Sequence, residues 1–142
     1  SGYSVQTMYK KYIAAPWEHR EFAKHVAELV NAEDRLTVKA SWLDGKIENL
    51  GTDMDYDSEH LKSEAVKDVI DVSECQAFLL LNVQARGSET SGKAVETGIA
   101  LALGKTIIIV GKATNIFHLL SHVTIVKTID EAIIKLKSLK GV

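Results

Sequence analysis

A chain of 142 residues with 46% hydrophobic and 25% charged content is long enough for one globular domain that buries a full core without disulfide or metal staples, and no shift in composition marks a second domain. Its net charge of −2, its pI near 6.2 and the absence of basic clusters argue against nucleic acid or an anionic membrane surface as a partner, leaving a small molecule or another protein. The single cysteine, Cys75, has no internal disulfide partner, and no Cys/His group has zinc spacing. The chain therefore reads as a metal-free, reduced, cytoplasmic protein, with Cys75 a core residue on a helix face. No apolar stretch reaches membrane-span length and no signal-peptide pattern opens the sequence, so a soluble protein is expected.

Residues 1–7 match no periodic pattern, and Met8-Tyr9-Lys10-Lys11 looks like a natural start, so 1–7 are expected to be disordered or foreign to the natural chain and 8–142 to form the domain. Lys11-Tyr12-Ile13-Ala14-Ala15 reads as a first strand stopped by Pro16, the only proline, which leaves Tyr12 near a strand end. From Trp17 to Asn31, Phe22, Val26, Leu29 and Val30 recur at helical spacing, predicting an amphipathic helix with His19 and His25 on its solvated side. Leu36 to Ala40 alternates and is β-rich, a second strand toward an edge, and it exits into Ser41-Trp42-Leu43-Asp44.

Residues 44–59 carry Asp44, Asp53, Asp55, Asp57 and Glu59 and read as a long polar loop with the makings of a lid. The acidic spacing invites calcium, but the glycine and distal glutamate of an EF-hand loop are not in place. Glu59 to Cys75 reads as a helix with Leu61, Ala65 and Val72 on one stripe. Asp68 falls on that stripe, where a carboxylate needs a reason, whereas Asp71 can meet Lys67 at i,i+4 spacing on the outer face.

Phe78 to Val83 is a continuous apolar run, the mark of a strand covered on both faces in a parallel sheet. It enters a polar loop, 84–92, that opens into a helix in which Glu96 is the lone carboxylate among small and aliphatic side chains. Gly104-Lys105 ends that helix, Thr106 to Val110 is a second fully apolar strand, Thr114 to Leu120 a short helix, His122 to Val126 a last strand and Ile129 to Leu139 a closing helix. Strands alternating with helices predict an α/β fold, a doubly wound, five-stranded parallel sheet of order 2-1-3-4-5 in a single domain. Ligands bind at the carboxyl edge of such a sheet, which gathers Tyr12, Trp42, the 84–92 loop and Glu96.

The loop is neither a Walker A motif nor a dinucleotide fingerprint, and no Ser/His/Asp or Cys/His set has a recognisable elbow. Gly87, Ser88, Thr90, Ser91 and Gly92 at a helix N-terminus nevertheless offer N–H groups and hydroxyls suited to a phosphate or carboxylate. Glu96 is either a reactive carboxylate or a helix N-terminal one favoured by the dipole. Tyr12 is either a site residue or a core-rim aromatic, and Trp42 either a substrate contact or a hydrophobic cover.

The blocks Tyr12-Ile13-Ala14-Ala15-Pro16-Trp17, Ser41-Trp42-Leu43-Asp44, Asp68-Val69-Ile70-Asp71-Val72 and Val95-Glu96-Thr97-Gly98-Ile99-Ala100-Leu101-Ala102-Leu103-Gly104-Lys105 together resemble the nucleoside 2-deoxyribosyltransferase family, including its 2′-deoxynucleoside 5′-monophosphate N-glycosidase branch. The resemblance runs on through Asn115-Ile116-Phe117-His118 to Ile129-Asp130-Glu131-Ala132. It implies a flavodoxin-like sheet, homodimers or larger homo-oligomers with shared sites, no cofactor, and cleavage of an N-glycosidic bond. In it Glu96 is the nucleophile, Tyr12 orients Glu96, and Asp68 protonates the departing base. Ala14, Pro16, Trp42 and Asp71 fall among the substrate contacts, and Asn115 and His118 reach a neighbouring subunit's site.

The implied chemistry agrees with the residues. C1′ of a nucleoside passes through an oxocarbenium-like state that a carboxylate can trap, and a carboxyl group partly withdrawn from water can donate a proton at neutral pH. Two departures bear on the substrate. Thr90, beside Ser88 and Ser91, stands where the transferases carry an aspartate, which leans toward a 5′-monophosphate. Ala14-Ala15-Pro16 stands where a glycine is common, which adds a methyl beside the sugar pocket. A catalytically silent nucleotide-binding module on the same fold is the alternative, and an interaction scaffold a third.

Overall fold

The computed structural model describes residues 9–33, 36–44, 58–82 and 92–139. The body of the expected polar loop, 45–57, and most of the hydroxyl-rich loop, 83–91, lie outside the described residues.

Five strands form one sheet: β1 (Tyr9–Ala14), β2 (Leu36–Val38), β3 (Ala77–Asn82), β4 (Thr106–Gly111) and β5 (Val123–Val126). Their order is β2-β1-β3-β4-β5, and every neighbouring pair is parallel. The doubly wound sheet expected from the sequence is the one observed. The uninterrupted apolar runs explain its centre, because a strand covered on both faces has no polar side to alternate with. Phe78, Leu79, Leu81, Ile107, Ile108 and Ile109 are all at most 1% exposed. β2 pairs only with β1, as befits the expected edge strand. The β1–β3 register sets Tyr12 opposite Phe78, and their rings stack with centroids 5.5 Å apart.

The helices are α1 (Arg20–Asn31), α2 (Ser58–Glu74), α3 (Gly92–Ala102) and α4 (Ile129–Ser138). α2 and α3 pack against each other. Elsewhere Glu33, just past α1, pairs with Lys137 of α4 at 3.2 Å.

Two predicted faces need correction. On α1 the buried stripe is Ala23, Val26, Ala27 and Val30, while Phe22 and Leu29 stay 40% and 39% exposed. Small alanines let the helix close on the sheet, and the large residues flank the stripe. On α2 the predicted stripe holds only at its end: Val72 is fully buried and Leu61 half-buried, but Ala65 is exposed. Asp71, expected on the outer face beside Lys67, is 6% exposed, and Lys67 pairs with Glu64 instead. The helix meets the core mainly through its last turns, where Asp71 and Val72 turn inward.

α3 ends in a Schellman turn. Gly104 takes φ +69°, its N–H donates to the Leu101 carbonyl, and the Lys105 N–H donates to the Ala100 carbonyl. The segment expected as a short helix over 114–120 is a 3-10 turn, Ile116–Leu119, capped by Asn115.

Candidate active site

β1 carries Tyr12 into the interior, where it is fully buried, and α3 brings Glu96 to meet it. The Tyr12 hydroxyl donates a short hydrogen bond to Glu96 Oε2. The other carboxylate oxygen, Oε1, faces the start of the same helix, where a Cβ on Gly92 would lie 4.0 Å away. α2 supplies Asp68, half-buried, whose Oδ1 is buried with no hydrogen-bond partner. A buried, unpartnered carboxylate oxygen costs free energy unless it holds a proton or meets a ligand.

Electrostatics follow from this burial. Glu96 is pushed up to about 7, chiefly by desolvation, with the Tyr12 hydrogen bond opposing and the Asp68 charge adding to the rise. Asp68 is pushed up to about 6 by desolvation and then by the neighbouring Asp71 and Glu64 charges. Desolvation and the surrounding carboxylates hold Tyr12 far above its ordinary value, so it remains a hydrogen-bond donor at any physiological pH. Glu96 and Asp68 therefore both titrate near neutrality.

Asp71 plays a different part from the one expected. Its Oδ2 accepts from the backbone N–H of Ser41 at 2.8 Å and from the Ser41 hydroxyl at 2.6 Å. It fixes the 3-10 turn Ser41–Asp44, in which the indole N–H of Trp42 donates to the Ile13 carbonyl of β1 at 2.7 Å. Trp42 is thus anchored beside Tyr12 through the backbone of β1.

Ala14 is 1% exposed, and its methyl belongs to the core. Pro16 is half-buried, and its carbonyl accepts from the His19 N–H at 2.9 Å, closing a turn before α1. Gly92 opens α3 next to Glu96, while Gly87, Ser88, Thr90 and Ser91 lie outside the described residues. Asn115 and His118 form a compact group within their own chain. Asn115 Oδ1 accepts from the N–H groups of Phe117 and His118, and His118 is 4% exposed.

The sequence reading missed Ser41 as the partner of Asp71, and it missed Asn82 and Lys93. The Asn82 side-chain amide donates to the Lys112 carbonyl at 2.6 Å and to Thr114 Oγ1 at 3.1 Å, while Lys93 Nζ donates to Asn82 Oδ1 at 3.4 Å. A polar residue closing an apolar strand was the available signal for Asn82. Among the described residues no group of three or more His, Cys, Asp or Glu side chains could hold a metal ion, and no helix is long and apolar enough to cross a membrane.

No family model matches the chain, and no curated protein matches it in sequence. Among solved structures it is similar to the CMP N-glycosidase BcmB of Clostridium botulinum, with a TM-score of 0.55 and 19% sequence identity over 91% of this chain and 98% of that one. At that identity the likeness is one of fold. The likeness spans nearly the whole of both chains.

Proposed function

We propose that this protein cleaves the N-glycosidic bond of a nucleoside or nucleoside 5′-monophosphate. The observation that carries the reading is the Tyr12–Glu96 hydrogen bond beside the unpartnered oxygen of Asp68. Glu96 Oε1 attacks C1′ as the C1′–N bond breaks, and the bonding pair leaves with the base nitrogen. Asp68 delivers its proton to the base, and Tyr12 holds the glutamate by its other oxygen. The glycosyl ester is then resolved at C1′ by water, whose proton returns to Asp68, or by a second base. The CMP N-glycosidase chemistry of a protein on the same fold supports this reading.

The proton inventory sets the reactive form. With one proton on the pair, the higher value at Glu96 favours the proton there and leaves Asp68 ionised. The proposed reaction draws on the opposite arrangement, ionised Glu96 with protonated Asp68, toward which the Tyr12 hydrogen bond works.

The resemblance also points to a homo-oligomer. Val66, Val69 and Ile70 of α2 and Val95 and Leu103 of α3 are all at least 47% exposed on two helices that touch, an apolar surface suited to a second copy of the chain.

Incubation with each nucleoside and 5′-monophosphate, with and without a free second base, followed by chromatography, tests the reading. Base release by the wild-type protein and none by Glu96→Ala is expected. Release alone identifies a hydrolase, and base exchange a transferase. Saturable nucleotide binding without product identifies the silent nucleotide-binding module, and undiminished release by Glu96→Ala ends the proposal.

A further inference from the structure

The polar group at the carboxyl ends of β3 and β4 contains a mismatch that a ligand would resolve. The Thr114 backbone N–H donates to His118 Nδ1 at 3.0 Å, so Nδ1 is the unprotonated ring nitrogen and Nε2 carries the hydrogen. Asn115 has no freedom to exchange its amide ends, because Oδ1 already accepts from two backbone N–H groups at 2.9 and 3.3 Å. Its NH2 therefore faces His118 Nε2 at 3.2 Å. Two donors confront each other with no acceptor between them, on a histidine that is 4% exposed.

Burial and the nearby Lys93 ammonium both hold His118 below its ordinary value, so the ring is neutral. Lys93 forms no ion pair among the described residues, and its one hydrogen bond is to Asn82 Oδ1 at 3.4 Å. Asn82 in turn donates to Thr114 Oγ1, which links the lysine to the histidine group.

We propose that Lys93, Asn115 and His118 form an anion-binding subsite that takes the phosphate of a nucleoside 5′-monophosphate. An anionic oxygen is the group that accepts from His118 Nε2–H and the Asn115 NH2 together, and the lysine supplies the charge. Position within the fold favours this ligand. Lys93 stands three residues before Glu96 on α3, so about one helical turn, roughly 5 Å, separates the backbone positions that carry the cation and the glutamate. That span suits a furanose whose C1′ lies at Glu96 and whose 5′ substituent points toward Lys93. The inference rests on the glycosidase reading for the identity of the ligand, though the donor arrangement is independent of it.

Two measurements separate the subsite from the reaction. In the first, kcat/KM for a 5′-monophosphate relative to its nucleoside is compared between wild-type protein and Lys93→Met. A fall of that ratio by tenfold or more is expected, and a ratio within twofold of wild type overturns the subsite. In the second, inorganic phosphate is titrated into isotope-labelled wild-type protein while the His118 ring resonances are followed by NMR. A saturable shift of the Nε2–H signal, weakened at least tenfold in Lys93→Met, is expected, and an indifferent His118 signal overturns the proposal. If neither substrate is turned over, the glycosidase reading fails and the phosphate titration alone decides the subsite.

Discussion

The hydroxyl of Tyr12 opposes the burial that raises the Glu96 pKa, so removing it has a signed consequence. In Tyr12→Phe the desolvation of Glu96 and the Asp68 charge act unopposed, and Glu96 titrates above about 7. The proposed reaction needs Glu96 ionised, so a smaller fraction of Tyr12→Phe is in the reactive form at pH 7, and kcat/KM there falls by about 10²-fold. Glu96 and Asp68 rise to about 7 and about 6, and the proposed reaction uses the form with one proton on the pair. The wild-type profile is therefore a bell with its maximum between those values. Stability gives a second sign. Both carboxyls have native pKa values above their unfolded ones near 4, so their contribution is whole below about pH 4 and is lost as pH rises through about 6 to 7. Asp68→Asn should stabilise the fold at pH 8 by about 1–2 kcal/mol, discounted for the partial exposure of the group, with the gain shrinking toward pH 4. Urea midpoints at the two pH values check this. That Glu96 and Asp68 are partly withdrawn from water was legible, because a lone carboxylate in an apolar helix is conspicuous and Asp68 interrupted an expected apolar stripe. Asp71 was misread because its partner, Ser41, lies 30 residues away in sequence, beyond the reach of i,i+4 reasoning.

Two glycines take positive φ, a backbone conformation that side chains disfavour. Gly104 at φ +69° has open space around a would-be Cβ, so Gly104→Ala costs only the backbone conformation, about 1 kcal/mol, read as a lower urea midpoint without a change in m. Gly111 at φ +125° is more demanding, since its Cβ would stand 2.7 Å from the Asn82 carbonyl oxygen. Gly111→Ala adds a backbone clash to the strain and should cost about 2–3 kcal/mol. It also displaces the Asn82 amide that ties β3 to Lys112 and Thr114. The strands were readable because Ala77 to Leu81 in β3 and Ile107 to Val110 in β4 are unbroken apolar runs. The faces of the helices were less so. Periodicity counts large apolar residues, and α1 packs through Ala23 and Ala27 while Phe22 stays out. The 3-10 turn at 116–119 read as a helix because Ile116, Leu119 and Leu120 stand three and four residues apart, a spacing that one turn of either helix type satisfies.

At the scale of the molecule, strand order and single-domain architecture followed from the alternation of strands and helices, because right-handed parallel crossovers leave few other topologies. Assembly is a property that alternation does not encode. The exposed apolar side chains of α2 and α3 predict that the wild-type protein sediments as a dimer or larger species and that Ile70→Asp, at a residue 47% exposed, shifts it toward monomer. Sedimentation velocity reads both. In the proposed function Glu96 bonds covalently to C1′. The most direct test is rapid quenching during turnover of a nucleotide, followed by mass spectrometry of the peptide containing Glu96. A glycosyl group on Glu96 in the wild-type protein, absent from Glu96→Gln, is the predicted result. Base release with that peptide unmodified throughout the approach to steady state, and equally fast in Glu96→Gln, would contradict it.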